Sequence, residues 1–370
     1  MDNFIKKPAL TIAAVIFVVA AIAYVEYQKP DLSKANQYTN QSNQEKKSNY
    51  PRAPDFAGIE RWINSEPLKI EQLRGKVVLV DFWTYTCINC IRTLPYLKDW
   101  DKKYRDKGLV IVGVHTPEFE FEKKYENVLK AVNDYQLKYA VAQDNNYVTW
   151  NLYQNRYWPH KFLIDIDGYI RYDHIGEGNY EETEKMIQSL LQEKMEKENK
   201  KNGISFNITK PEAAIDVNTV YIGTPEIYFG YQFERGNLGY DGIKPDTIVD
   251  FKISPKPFKN YVYLSGKWKN NADNMELVGD EGEIFLIFEA KSVNIVAGSE
   301  NISDLSVYLD NNAENEKNKG RDVIIQGNES ISKINEFKLY NVASAEKYDT
   351  HVIDINVVGK GFKIYTFTFG

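Results

Sequence analysis

Residues 77–97, VVLVDFWTYTCINCIRTLPYL, decide the fold of this chain. They begin with an apolar run that is interrupted only by Asp81, as is typical of a strand buried on both faces of a sheet. After the Cys-Ile-Asn-Cys motif, apolar residues recur at helical spacing at Ile91, Leu94 and Leu97. The order of strand, Cys-x-x-Cys and helix predicts a redox-active loop at the start of a helix.

Cys87 and Cys90 are the only two cysteines in the 370-residue sequence. A disulfide framework would need more bridges at wider spacing, and a zinc site would need two further ligands, which the four histidines do not supply at close spacing. We therefore predict no metal and no organic cofactor, only a redox-active Cys87–Cys90 disulfide. The helix dipole and free N–H groups favour a thiolate on the first cysteine, which predicts Cys87 as nucleophile and Cys90 as resolving thiol.

The overall composition argues against nucleic-acid binding. The sequence carries 46 Lys and Arg against 52 Asp and Glu, a net charge of −6. No excess of cations is therefore present to neutralise phosphates. The 43% share of hydrophobic residues is enough for well-developed globular cores.

The remaining patterns predict an α/β domain followed by an all-β domain. A second buried strand is predicted at 109–114, a helix at 121–137, a strand–turn–strand unit at 162–172 and an amphipathic helix at 186–195. The order β-α-β-α-β-β-α predicts a mixed sheet with helices on its faces. Beyond it, short aromatic and β-branched segments separated by Gly, Asn and Asp predict an all-β sandwich.

The first residues predict a membrane segment. Residues 8–25 form an 18-residue run without charge, long enough to cross a bilayer at about 1.5 Å per residue. Because Lys6 and Lys7 precede it, we expect a single-pass helix with a cytoplasmic N-terminus and the bulk of the protein in the periplasm or outside the cell. The alternative is a signal peptide cleaved after residues 21–23, Ala-Ile-Ala, which would leave a secreted or periplasmic protein.

These patterns divide the chain into five predicted segments. They are an anchor or signal segment at 1–29, a flexible linker at 30–52, the redox domain at 53–200, a second linker at 201–210 and the β sandwich at 211–370.

Residues 77–95 resemble the active-site segment of the thioredoxin superfamily. The resemblance implies that Asp81 accepts the proton of the resolving thiol and that Pro95 kinks the active-site helix. It also implies that Trp158 and Pro159 form the cis-proline loop, with Pro159 against the disulfide and the Trp158 backbone pairing with substrate.

Two further residues beside the cysteine motif, Trp83 and Tyr85, are predicted to contact substrate together with Trp158 and Pro159. Glu118, after the second predicted strand, is similar in position to an active-site glutamate of cytochrome-maturation reductants, which implies a proton relay. The alternative for Glu118 is a carboxylate that stabilises a helix start. His115 is predicted to end the strand near the site without binding metal.

Several longer motifs resemble particular branches of the superfamily. Residues 53–56, APDF, and 73–78, LRGKVV, are similar to TlpA-like redoxins anchored in membranes. The motifs TWNLYQNRYWP and YTFTFG resemble the C-terminal half of DipZ-type proteins, where a carbohydrate-binding-module-like jelly roll follows the thioredoxin-like domain. DipZ-type proteins also carry a CcdA-like electron-carrying membrane domain. One predicted anchor stands in its place here, which implies a separate membrane electron donor of CcdA type.

The function predicted from the sequence is a membrane-tethered, extracytoplasmic thiol–disulfide oxidoreductase that reduces protein clients. The resemblance favours the reductive direction, because the dipeptide between the cysteines, Ile88-Asn89, lacks the histidine or proline found in strongly oxidising relatives. One alternative is a thiol peroxidase, because Thr84-x-x-Cys87 is similar to the Thr-x-x-Cys motif of peroxiredoxins. Val80, however, stands where that motif has a proline. Another is a binding module for glycan or protein with an accessory redox site. Aromatic residues of the β domain would then stack on sugars: Tyr261, Tyr263, Trp268 and the Tyr-rich stretch 221–231.

Overall fold

The computed structural model describes residues 49–200, 203–215, 217–240 and 244–370. The predicted membrane segment at 8–25 and nearly all of the first linker lie outside these residues. Within the described ranges, no helix combines the length and the apolar character needed to cross a bilayer. Residues 53–370 cluster as one unit.

The α/β part is a six-stranded mixed sheet in the order β1-β4-β3-β2-β5-β6. Strands β2, β3 and β4 are parallel, while β1, β5 and β6 are each antiparallel to their neighbours. The strands are β1 Arg61–Ile63, β2 Val77–Trp83, β3 Leu109–His115, β4 Ala140–Gln143, β5 His160–Ile164 and β6 Ile170–Ile175, and the helices are α1 Ile88–Tyr104, α2 Tyr125–Asp134, α3 Val148–Leu152 and α4 Tyr180–Lys197.

This arrangement confirms the predicted α/β domain and changes several of its details. The short elements β1, β4 and α3 were not predicted, because three to five residues are too few to show a period. Helix α2 is shorter than the predicted 121–137, since Glu120–Lys123 forms a separate 3-10 turn and Lys124 is extended. Helix α4 begins earlier than predicted, at Tyr180.

Strand β2 is buried on both faces, as its apolar run predicts. Leu79 and Trp83 pack in the core layer shared with α1, whereas Val80 and Phe82 pack in the opposite layer with aromatic residues such as Phe162. Burying a large apolar side chain of this kind stabilises the fold by roughly 1.5–3 kcal/mol. The cysteine motif therefore follows directly after a strand that is buried along its whole length.

The β part consists of ten strands that form one hydrogen-bonded network. Its two longest strands pair with each other from Glu281 to Ala297, with register shifts near Ser292 that let the sheet change direction. One apolar cluster draws on nearly all of these strands, which confirms a β-sheet domain at the C-terminal side. The strands are β7 Ile227–Tyr228, β8 Ile248–Phe251, β9 Val262–Asn270, β10 Met275–Gly298, β11 Ser303–Leu309, β12 Asn312–Ala313, β13 Ile324–Gln326, β14 Glu329–Ile334, β15 Lys338–Val358 and β16 Lys363–Phe369.

Aromatic side chains join the two parts. Phe121 lies 4.7 Å from Tyr365 and 5.3 Å from Phe337 between ring centres, and Phe119 lies 5.1 Å from Tyr365. These contacts place the turn after β3 against β16 and the residue before β15. Because aromatic pairs at such distances stabilise beyond their buried area, the β part is docked close to the cysteine loop.

Two aromatic residues that we predicted as sugar-stacking faces are core residues instead. Trp268 is 0% exposed and donates its ring N–H to the Ser265 carbonyl at 2.8 Å, and Tyr263 is 3% exposed. The prediction is wrong for both, because strand β9 turns their rings inward. Tyr261, just before β9, is 40% exposed.

Candidate redox site

Cys87 is the N-cap of α1 and stands at the mouth of the site. Its sulfur accepts the amide N–H of Cys90 at 3.2 Å, and the two thiols are not bonded to each other. Cys87 is half-buried and Cys90 is 1% exposed. Burial, together with the neighbouring Cys87 and Asp81, raises the pKa of the Cys90 thiol well above its usual value. Cys87 is thus the more exposed thiol, as a nucleophile must be, and Cys90 is the more buried one, as a resolving thiol can be.

Asp81 lies on the same side of the sheet as the cysteines. It is 1% exposed between Leu79 and Trp83, whose side chains pack in the layer shared with α1. Burial raises the pKa of Asp81 to about 7, against an opposing effect of Lys161. Its Oδ1 has no hydrogen-bond partner in the part of the chain that the structure describes. A carboxyl group that titrates near neutral pH beside a buried thiol can both take and release that thiol's proton.

Lys161 is a site residue that the sequence analysis missed. It lies directly opposite Asp81 in the antiparallel pairing of β2 with β5. Its side chain is fully buried, and its Nζ donates to the Gly176 carbonyl at 2.9 Å. Burial lowers the pKa of this lysine. The signal in the sequence was a lysine inside the apolar strand HKFLI, since buried lysines are rare unless paired.

The loop before β5 carries the residues that resemblance assigns to substrate binding. The Trp158–Pro159 peptide bond is cis. The Trp158 ring N–H donates to the Thr116 carbonyl at 3.0 Å, and its ring lies 4.3 Å from that of Trp150. Trp158 is half-buried, so part of it remains open to a client.

Trp83 and Tyr85 are also predicted substrate contacts, and for both that prediction is wrong. Trp83 is 0% exposed and packs over Gly113, where a Cβ would come within 2.9 Å of the indole nitrogen. Tyr85 is 4% exposed, and its hydroxyl donates to the Phe337 carbonyl at 3.3 Å. The sequence could not show this, because the β part supplies the cover over Tyr85.

His115 ends β3 and is fully buried against Tyr85. The two rings stack at 5.7 Å with 21° between their planes. Burial lowers the pKa of His115 to about 3, so its imidazole is neutral at physiological pH. Its Nε2 lies 3.3 Å from the Thr84 hydroxyl.

Glu122 is the carboxylate that organises the loop before the cysteines, and the sequence analysis missed it. Its Oε1 accepts the hydroxyls of Thr84 and Thr86 at 2.6 and 2.5 Å. Its Oε2 accepts the amide N–H groups of Glu118 and Phe119 at 2.6 and 3.0 Å. These bonds tie the cysteine loop to the turn after β3. The Thr84 hydroxyl is thereby committed to Glu122, which disfavours its use in orienting a peroxide.

Replacing Glu122 by glutamine should destabilise the fold by about 2–3 kcal/mol, because an amide N–H2 would face donors and at least one charge-assisted bond would be lost. Urea unfolding of the full chain measures the change. Glu120→Gln is the matched control, since that carboxylate is exposed and pairs, within the described residues, with the exposed Lys123. It should change stability by less than about 0.5 kcal/mol. Equal effects of the two variants would contradict the assigned role.

Glu118 contacts the β part. Its Oε1 accepts the Tyr228 hydroxyl at 2.7 Å, and Arg235 stacks on the tyrosine ring at 4.4 Å. Burial, with Glu122 nearby, raises the pKa of Glu118 to about 8. Among the described residues no hydrogen bond joins Glu118 to either cysteine. The role of Glu118 as a proton relay stays a prediction. The alternative role, a carboxylate that stabilises a helix start, is carried out by Glu122, which accepts the amide N–H groups of Glu118 and Phe119.

Comparison with known proteins agrees with this geometry. A family model described as thioredoxin-like matches residues 75–170, and one described as a thioredoxin-like C-terminal domain matches residues 224–370. Protein DipZ of Mycobacterium tuberculosis is 34% identical over 321 residues, which are 86% of this chain and 43% of DipZ. Thiol-disulfide oxidoreductase ResA of Bacillus cereus is 30% identical over 138 residues, which are 37% of this chain and 76% of ResA.

Among solved structures, a putative thiol:disulfide interchange protein DsbE from Chlorobium tepidum matches 38% of this chain and 96% of its own, with 28% identity and a TM-score of 0.35. From the site and the sequence relatives, the chain belongs to the thiol–disulfide oxidoreductases of the thioredoxin superfamily. Within that class the chain is similar to protein DipZ, which confirms the resemblance, and it spans less than half the length of DipZ.

Proposed function

We propose that this protein reduces disulfide bonds of client proteins by dithiol exchange through Cys87 and Cys90. The observation that carries the proposal is the position of the pair. A half-exposed thiol caps α1, and a buried thiol one turn later lies near a carboxyl group that titrates near pH 7. Both halves of an exchange reaction, attack and resolution, have their groups in place.

The reaction proceeds in two displacements. The Cys87 thiolate attacks one sulfur of the client disulfide, forming a mixed disulfide and releasing the other client sulfur as a thiolate. Cys90 then loses its proton to Asp81 and attacks the Cys87 sulfur, which releases the second client thiolate. The client gains two electrons and two protons, and the protein is left with a Cys87–Cys90 disulfide. A dithiol donor must reduce that disulfide before the next cycle.

We further propose that the donor is a membrane protein of CcdA type and that residues 8–25 tether the domain to the membrane outside the cytoplasm. The uncharged run behind Lys6 and Lys7 supports the tether. Residues 30–52, polar and without apolar periodicity, would let the domain reach both donor and clients.

For the β part we propose contact with proteins in preference to saccharides. Trp268 and Tyr263, two of the aromatic residues predicted to stack on sugars, are buried in its core, which removes part of the support for glycan binding. Its classification as a carbohydrate-binding-module-like jelly roll stays a prediction. The peroxidase alternative loses support because the Thr84 hydroxyl is bonded to Glu122.

The equilibrium redox potential of the Cys87–Cys90 pair against glutathione tests the direction of transfer. We expect a value of about −270 mV or lower, as in thioredoxin, whereas a value of about −120 mV would mark an oxidant and overturn the proposal. Peroxide consumption with a thiol reductant is measured in parallel. Turnover of peroxide faster than of a protein disulfide would instead support the redoxin alternative.

A further inference from the structure

Two cavities adjoin where the β part meets helices α1 and α2. The first, of about 350 Å³, lies between α1 and the chain that precedes the β part. The second, of about 470 Å³, lies between α2 and the turn from β14 to β15. Asp134, Tyr135 and Arg321 line both cavities. The two therefore form one groove, which we call the interface groove.

One end of the interface groove lies beside the cysteine motif. Ile88, Ile91 and Pro95 line it, and their spacing of three and four residues puts them on one face of α1. Ile88 follows Cys87 directly, and the two pack in the same apolar cluster. An extended chain advances about 3.3 Å per residue. When Cys87 is joined to a client cysteine, the next few client residues can therefore reach this end of the groove.

This end of the groove is apolar on both sides. On the side of α1, Ile91 and Pro95 are half-buried. On the other side, the chain before the β part contributes Ile215, which is 57% exposed. Covering the exposed part of such a side chain contributes on the order of 1 kcal/mol. The partner that this end fits is an apolar side chain of the client.

The junction of the two cavities carries a cation. Arg321 is exposed, and no ion pair to its guanidinium is found among the described residues. The neighbouring carboxylates have other partners, since Asp134 pairs with Lys130 and Asp322 pairs with Lys338. A planar guanidinium suits a carboxylate, which it can bind through two parallel hydrogen bonds. The junction therefore fits an acidic side chain.

Away from the junction, the charges that line the second cavity are balanced. Glu336 is engaged by a lysine of α2 at 3.5 Å. The exposed Lys124 and Glu300 add one cation and one carboxylate, and neither lines the first cavity. Tyr85 also lines the second cavity but is 4% exposed, so it offers a client little surface. Selectivity for an acidic residue therefore rests with Arg321.

We propose that the interface groove binds the polypeptide segment that flanks the client disulfide, with an apolar client residue between Ile91 and Ile215 and an acidic client residue at Arg321. The inference deepens the function proposed above and rests on it. The α/β part supplies both cysteines, so a small disulfide needs that part alone. A protein client uses both parts, because one wall of the groove belongs to the β part.

The first experiment measures capture of peptide disulfides by Cys87 in the full chain carrying Cys90→Ser. The substrates are short peptides whose single cysteine is joined to thiopyridine, which changes its absorbance when it is displaced. Each peptide has a leucine beside the cysteine and one glutamate, which is moved through successive positions on either side. Matched peptides carry glutamine in place of the glutamate. The mixed disulfide of mercaptoethanol and thiopyridine is the small substrate.

The parent should capture the glutamate peptide faster than its glutamine match when the glutamate reaches the junction. In Arg321→Gln this preference should fall about tenfold, because a charge-assisted hydrogen bond is lost. Lys319→Gln is the matched control, since Lys319 lies in the same loop, pairs with Glu316 at 3.2 Å and does not line the groove. It should change the preference by less than about twofold. A parent without any preference, or a preference unchanged in Arg321→Gln, would overturn the proposal.

The second experiment tests the apolar end with the glutamine peptides. Ile215→Glu should lower the ratio of peptide capture to capture of the small substrate by about tenfold, because an apolar contact is replaced by a carboxylate that must lose water. Phe206→Glu is the matched control, since Phe206 is 63% exposed in the same segment and does not line the groove. It should leave the ratio within about twofold. Equal falls in the two variants, or no fall in Ile215→Glu, would contradict the assigned contact.

Peptides with serine in place of cysteine distinguish this inference from the proposed function, because they can bind but cannot react. Their affinity for the full chain is measured by fluorescence polarisation of a labelled peptide. A wild-type protein that binds the glutamate peptide more tightly than its match but captures no disulfide would contradict the function and leave the groove assigned. A protein that captures disulfides and binds both serine peptides equally would overturn the groove and leave the function intact.

Discussion

Replacing Cys87 by serine is expected to lower the rate of disulfide reduction by at least roughly a thousandfold, because a serine hydroxyl does not ionise near neutral pH and forms no mixed disulfide. Replacing Cys90 by serine should have a different outcome. Capture of the client by Cys87 should continue, and the client should accumulate as a covalent adduct that no buried thiol can release.

Mass spectrometry under denaturing, non-reducing conditions measures the adduct, and stopped assays with a protein disulfide measure the rate. The two variants are matched controls, since each exchanges one sulfur for oxygen within the same loop. An adduct on Cys90 in the Cys87→Ser variant, at the rate of the wild type, would show that the assigned roles are reversed. That result would conflict with the exposures, since Cys90 is 1% exposed.

Replacing Asp81 by asparagine should have opposite effects on stability and on catalysis. Burial raises the folded-state pKa of Asp81 from 3.8 to about 7, so the folded protein holds this proton more tightly than the unfolded chain does. Ionising the buried carboxyl group therefore lowers the stability of the folded protein, and this loss grows as the pH rises from about 4 through about 7. The cost approaches about 4 kcal/mol above that window, at about 1.4 kcal/mol per pH unit.

Asparagine removes this titration but leaves Lys161 without its opposite charge, so we expect a net gain of about 2 kcal/mol at pH 8 and little gain at pH 4. The resolving step should slow about a hundredfold at neutral pH, since its proton acceptor is gone. Urea unfolding across the pH range gives the first effect, and the lifetime of the mixed disulfide gives the second. Parallel stability curves for the two proteins from pH 4 to pH 8 would contradict the assigned titration.

The docked β part makes this redox site different from that of a single-domain protein. Tyr85, two residues before Cys87, donates to the Phe337 carbonyl, and Phe121 packs on the Tyr365 ring. One side of the cysteine loop is therefore closed. Trp158, half-buried on the cis-proline loop, remains as the predicted residue at which a client can approach, while the neighbouring Pro159 is buried.

Much of the fold could be predicted because its signals are local. The apolar run of β2, the helical spacing after Cys90 and the cysteine spacing itself lie within 21 consecutive residues, 77–97. Short elements such as β1 and β4 carried no such signal, because three or four residues do not complete a pattern. Helix α2 was predicted too long because charged and apolar residues continue through the separate turn Glu120–Lys123.

The sequence by itself determined that two cysteines start a helix behind a buried strand, and this already predicts their redox chemistry. Only the tertiary structure decided which groups surround them. Lys161 reaches Asp81 because β5 pairs with β2, and Glu122 reaches Thr84 because the turn after β3 folds back over the loop. Trp83 and Tyr85 are closed to substrate because strands and the β part cover them. Burial and pairing depend on contacts between residues far apart in the chain, and no local pattern encodes those contacts.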